Sequence, residues 1–118
     1  MARRFYVAGS LRNTPGGFRL QAQNPLGNGT LVGVGTLRVD GRAIPLAGLT
    51  AMREGESEPI HAADLSRMNP IRVVVGDRIT LEVAGPPLAR GEHKLEVELF
   101  ELNLGALRFS ISDRVADG

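Results

Sequence analysis

Three segments with strict two-residue alternation fill the last third of the chain and leave it few ways to fold. Ile79, Leu81 and Val83 alternate with Thr80 and Glu82; Leu95, Val97 and Leu99 alternate with Lys94, Glu96 and Glu98; Leu107, Phe109 and Ile111 alternate with Arg108, Ser110 and Ser112. A period of two over that length describes antiparallel strands with one apolar and one wet face. Such strands must bury their apolar faces against a second layer, and 118 residues suit one two-layer core. The expected fold class is therefore all-β, an antiparallel immunoglobulin-like β-sandwich in a single domain. The 15 glycines and 7 prolines agree with many turns and few long helices.

Upstream, Phe18, Leu20 and Ala22 alternate with Arg19, Gln21 and Gln23 up to Asn24-Pro25, where proline removes a ladder donor. LGNGTLVGVG follows, with glycines at 27, 29, 33 and 35. It lacks the Lys-Ser/Thr ending of a phosphate loop, so the glycines mark a bulged or mobile loop, or a close approach of another backbone. Asp40-Gly41 between Leu37/Val39 and Ile44/Leu46 predicts a tight primed hairpin. A strand around residues 49–52, a solvated tip at REGESEP, and one helical turn within residues 62–68 stopped by Asn69-Pro70 complete the middle. In the long penultimate strand the parity slips, because Phe100 and Leu102 follow Leu95, Val97 and Leu99 on the other face. The slip predicts a bulge at residues 99–101 or burial on both faces. The expected divisions are a mobile segment 1–16, the sandwich 17–115 and a tail 116–118.

Composition excludes several functions. With 14 basic and 13 acidic residues interspersed and a net charge of +1, no clustered basic face is offered to nucleic acid. One Tyr, four Phe and no Trp leave little with which to stack bases or sugar rings. The first residues, MARRFYVAGSLRN, hold too short an apolar run for a signal peptide or a membrane span. The absence of cysteine removes disulfides and thiolate metal sites, and a cytoplasmic protein is expected.

His61 and His93 are the two imidazoles. His93, on the parity of Leu95 and Val97, reads as a histidine at the edge of the core satisfied by a backbone carbonyl. His61 lies near Glu58 and Asp64 and stays a candidate for a carboxylate-paired role. Asp40, Asp64, Asp77 and Asp113 sit in turn-like contexts, and none of Ser10, Ser57, Ser66, Ser110 and Ser112 has a nucleophile-elbow setting. No catalytic, cofactor-binding or metal-binding residue is therefore assigned in this chain. What remains is surface: the glycine-rich segment with Phe100, Leu102, Leu104 and Leu107 is a candidate apolar patch, with two-sided core packing as the equal alternative.

Gly17-Phe18, the loop from Asn24 to Gly35, Val39-Asp40-Gly41 and the run from Leu88 to His93 resemble the small β-subunits of bacterial C-glycoside deglycosidases. That resemblance implies a non-catalytic subunit of a hetero-oligomeric lyase of C-glycoside catabolism. Its partner would be a sugar-isomerase-like TIM-barrel α-subunit, which carries a divalent metal, manganese, and cleaves the carbon–carbon bond of 3-keto C-glycosides. Asn24, Leu26, Gly27 and Asn28 would form the loop facing the partner or rimming its pocket. NPLGNG lacks the aromatic and basic residues of that loop in the family, which leaves the substrate open. The competing reading is a free-standing immunoglobulin-like binding or homo-oligomerisation module.

Overall fold

The computed structural model describes residues 5–24, 28–56 and 58–115. Ten strands follow in order: β1 (Arg12–Thr14), β2 (Gly17–Gln23), β3 (Gly29–Val39), β4 (Arg42–Ala43), β5 (Leu49–Arg53), β6 (Ile60–His61), β7 (Ile71–Val73), β8 (Arg78–Ala84), β9 (Glu92–Glu101) and β10 (Gly105–Arg114). Single 3-10 turns at Leu46–Gly48 and Ala62–Asp64 precede β5 and follow β6. One sheet runs β1-β2-β8-β5-β6 and the other β10-β9-β3-β4, with β7 also on β3; every pairing is antiparallel. Strands β1-β2-β8-β5 facing β3-β9-β10 reproduce the immunoglobulin order, so the expected fold class is the one observed.

The alternation read in the sequence is the core itself. Leu20, Leu81, Leu49 and Ala51 from one sheet and Leu37, Leu95 and Val97 from the other are buried between the layers, while the residues between them are wet. Leu20 lies directly opposite Leu81, and Leu81 opposite Ala51, so one apolar row crosses three strands.

Residues 5–16, expected outside the body, are packed into it. Tyr6 and Leu11 are buried, Tyr6 bridges to Ala22, and Arg12–Thr14 pair with β2. Two-residue alternation carries no sign of this, because the segment contributes isolated anchors. The Tyr6 hydroxyl donates to Asp113 of β10, whose carboxylate also accepts from the Gly9 amide at 3.1 Å. Phe5 stacks on Phe109, with ring centroids 6.4 Å apart. Burial pushes the Tyr6 hydroxyl well above its ordinary pKa, and the Asp113 carboxylate beside it pushes the same way, so the phenol stays a donor.

From Gly29 onward the glycine-rich segment is a strand and not a loop, and the bulges lie there. β9 pairs with β10 without interruption from Glu92 to Glu101, whereas the β3–β9 register shifts between Leu31 and Gly33 and again between Val34 and Thr36. The expected bulge at residues 99–101 thus falls on the opposite strand. The reason is the outer face: a Cβ on Gly33 would stand 3.3 Å from the Phe100 ring, and one on Gly35 would stand 2.9 Å from the ring and overlap the Glu98 carboxylate, so β9 side chains occupy the space that two side chains would need. Phe100 keeps its parity and covers the glycines.

At the start of the next hairpin Asp40 and Gly41 both have positive φ, 53° and 82°, as a primed two-residue turn requires. Among the described residues no helix is long and apolar enough to cross a membrane.

Candidate functional site

Two places hold the residues singled out in the sequence: a clamp at one end of the sandwich and a cleft opening between the sheets.

The clamp joins the Asp40-Gly41 turn to the connection before β9. The Asp40 carboxylate meets His93 Nδ1 at 2.6 Å and accepts from the Lys94 amide at 2.9 Å, while His93 Nε2 meets the Ala89 carbonyl at 2.7 Å. The same connection is held at Leu88 by Asn13, which donates to its carbonyl and accepts from its amide. Both imidazole nitrogens face acceptors, which suits the doubly protonated ring. The Ala89 carbonyl, followed by the Asp40 carboxylate, raises the His93 pKa above its ordinary 6.5. In turn His93, followed by the Lys94 amide, lowers Asp40 below 3.8. With no nitrogen left to take a substrate proton, the pair is a fastener, as the edge-of-core reading of His93 expects.

The signs of these shifts set a pH window. The His93 contribution is fully present below pH 6.5 and is lost as pH rises through the raised folded value. The Asp40 contribution is present above pH 3.8 and is lost as pH falls through the lowered one. The clamp is therefore complete between the two reference values. His93→Ala should depress the melting temperature relative to wild type at pH 6, and the gap should narrow steadily toward pH 9. A gap of constant size across that range would show that the charged form contributes nothing.

The cleft measures about 330 Å³ and opens at the other end of β9. Ala22 and Ile79 line it from one sheet, Leu31 and Leu99 from the other, with Phe5, Leu104 and Leu107 at its mouth. Its polar lip is Gln23, Asn24, Asn28, Glu101 and Asn103. Glu101 is committed to the backbone: one oxygen accepts from the Thr30 amide at 2.8 Å, the other from Asn103 and Leu104 at 2.7 and 2.8 Å. Burial pushes its carboxyl up, but these amides outweigh it and hold it below the usual carboxylate range. The β9–β10 turn is thereby fixed with Leu102 and Leu104 exposed, Leu104 by 60%. Among the described residues no Lys, Arg or His lines the cleft.

Of the loop residues proposed from sequence, Asn24 and Asn28 stand at this lip, and Leu26 and Gly27 lie outside the described residues. Asn24 is structural as well, donating to the Val73 carbonyl at 3.2 Å. His61 is exposed, at the N-terminal end of the second 3-10 turn, and is not brought to either place. Leu104 and Leu107 were legible as apolar surface, while Phe5, from the segment read as mobile, was not. Among the described residues no group of three or more His, Cys, Asp or Glu side chains is placed to hold a metal ion.

Residues 1–116 match the family model described as hydroxymethylglutaryl-CoA reductase, N-terminal domain. The chain belongs to this family. No curated protein matches it. Membership in the hydroxymethylglutaryl-CoA reductase N-terminal domain family overturns the C-glycoside deglycosidase resemblance, and with it the lyase, β-subunit and C-glycoside catabolism readings. The structure shows why those residues misled. Asp40-Gly41 builds a hairpin turn and His93 fastens it, duties that any sandwich of this order can require. The TIM-barrel partner and its manganese rested on that resemblance and lose their basis with it.

Proposed function

We propose that this chain is an assembly domain, which seats its cleft end on the catalytic part of a hydroxymethylglutaryl-CoA reductase and leaves the thioester substrate to that part. The observation that carries the reading is the cleft's chemistry among the described residues: apolar walls, an exposed Leu104, one carboxylate and no cation. Coenzyme A brings several phosphate charges and the hydroxymethylglutaryl group adds a carboxylate. Binding them calls for Arg, Lys or free backbone amides, and the amides around Glu101 are already taken. An apolar protein segment is the better match to such walls. Family membership supports a reductase as the source of the partner. A cytoplasmic setting belongs to the same proposal, since a sequence without cysteine draws nothing from an oxidising compartment.

Two measurements test the proposal. Titration calorimetry of the chain with hydroxymethylglutaryl-CoA should give no saturable heat, and mixing with the catalytic part of a reductase should give a complex of defined mass. Leu104→Asp, at an exposed turn position, should leave the fold intact and weaken that complex by about tenfold or more. Saturable binding of the thioester to the chain alone would overturn the assembly reading.

A further inference from the structure

The sheet edges differ sharply in how they are protected. Toward its outer side the first sheet ends in β1 and β6, three and two residues long, and β2 beyond β1 is met by the Tyr6–Ala22 bridge and the bond from Val7 N to Gln21 O. In the second sheet the β3 side is covered by β4 and β7 and broken by its two bulges. β10 is different. It is ten residues long, pairs with β9 along its whole length without a bulge, and contains no proline and no lysine. Among the described residues no backbone–backbone hydrogen bond is made to its other edge; the N-terminal segment meets β10 through side chains, at the Asp113 carboxylate and the Phe109 ring. A regular bare edge of this length is a template for another strand.

We propose that β10 pairs antiparallel with β10 of a second copy of this chain, across a two-fold axis through Phe109. Such an axis, perpendicular to the sheet, keeps the inner and outer faces of both copies aligned, so only residues of equal parity can stand opposite each other. Three registers near the strand centre satisfy this. Centring on Arg108 sets two guanidinium groups against each other, and centring on Ser110 sets Leu107 against the partner copy's Asp113; like charges or mismatched pairs directly opposite are unfavourable. Centring on Phe109 sets Phe109 on its own counterpart, Leu107 on Ile111, and Arg108 on Ser110. Leu107 and Ile111 are half-buried in the single chain and gain cover in the pair. The occupant is a second copy because the edge carries its own complement. The inference does not rest on the reductase assembly reading, although Leu107 belongs to both the cleft mouth and the paired edge.

The test uses the whole chain. Sedimentation across the micromolar range should give twice the 12.6 kDa monomer mass. Ile111→Lys, which aims a charge inward on the edge, should give a monomer with an unchanged circular dichroism spectrum. The wild-type chain has no cysteine, so two exposed substitutions report the register. An equimolar mixture of Arg108→Cys and Ser110→Cys chains should oxidise to a mixed disulfide dimer, and neither variant alone should do so. A wild-type chain that stays at 12.6 kDa with no mixed disulfide overturns the pairing. Cross-linking of Ser110→Cys with itself overturns the register.

Discussion

Leu81→Ala is expected to lower the unfolding free energy by about 2–5 kcal/mol. Leu81 has no exposed surface and sits on β8, the middle strand of its sheet, with Leu20 on one side and Ala51 on the other. Truncation removes its transfer free energy and leaves a void that two hydrogen-bonded ladders prevent from collapsing. Urea denaturation followed by circular dichroism would show a lower midpoint at unchanged slope. A domain of this size is stable by roughly 5–15 kcal/mol, so the loss is a large share of the total. A change below about 1 kcal/mol would mean that the row Leu20–Leu81–Ala51 is not closed by the opposite sheet. Val75→Ala, at a position more than half exposed, is the control and should change little.

The second large effect is expected at Gly17, where Gly17→Ala should cost about 3 kcal/mol or more. A Cβ there would overlap the Val83 carbonyl oxygen and stand 3.0 Å from the Gly85 amide nitrogen. Both are backbone atoms at the end of the β2–β8 ladder, where Gly17 pairs with Ala84 and Phe18 with Val83. Relief of the overlap therefore requires the strands to part, and Gly85 N would lose its bond to the Gly16 carbonyl at 2.9 Å. At Gly35 the nearest atom in the way is the end of the Glu98 side chain, which can swing aside, and no backbone atom is met. Gly16→Ala meets nothing within 4 Å and serves as the neighbouring control. Thermal melts of the two adjacent variants isolate the close approach from any general loss of chain flexibility. Equal melting temperatures would contradict it.

How much of this was legible in the sequence follows from how local each signal is. The β-sandwich was readable because one side-chain period governs β2, β8, β9 and β10, as from Phe18 to Ala22 and from Leu95 to Leu99; the bulged β3 breaks that period and read as a loop. The Asp40-Gly41 turn was readable because its dihedrals depend on two adjacent residues. The site was much less so. His93 was placed at the edge of the core, but its partner Asp40 stands 53 residues earlier, and nothing in either local context signals the other. The cleft draws Phe5, Leu31, Ile79 and Leu107 from four distant segments, and Asn24 and Asn28 were put at a rim for a reason tied to the wrong family.

The sequence by itself determined which residues of the alternating strands face inward, where the Asp40-Gly41 turn falls, and that an immunoglobulin-like sandwich would bury those rows, because these follow from a two-residue period and local dihedral preferences. Only the tertiary structure decided that the bulges sit in β3 and not in β9, since the Phe100 ring needs the space above Gly33 and Gly35. It also decided that residues 5–16 belong to the body, through the Tyr6–Asp113 bond, and that among the described residues β10 is an edge without a backbone partner on its outer side. These outcomes depend on which strands become neighbours, and strand order comes from packing two layers against each other.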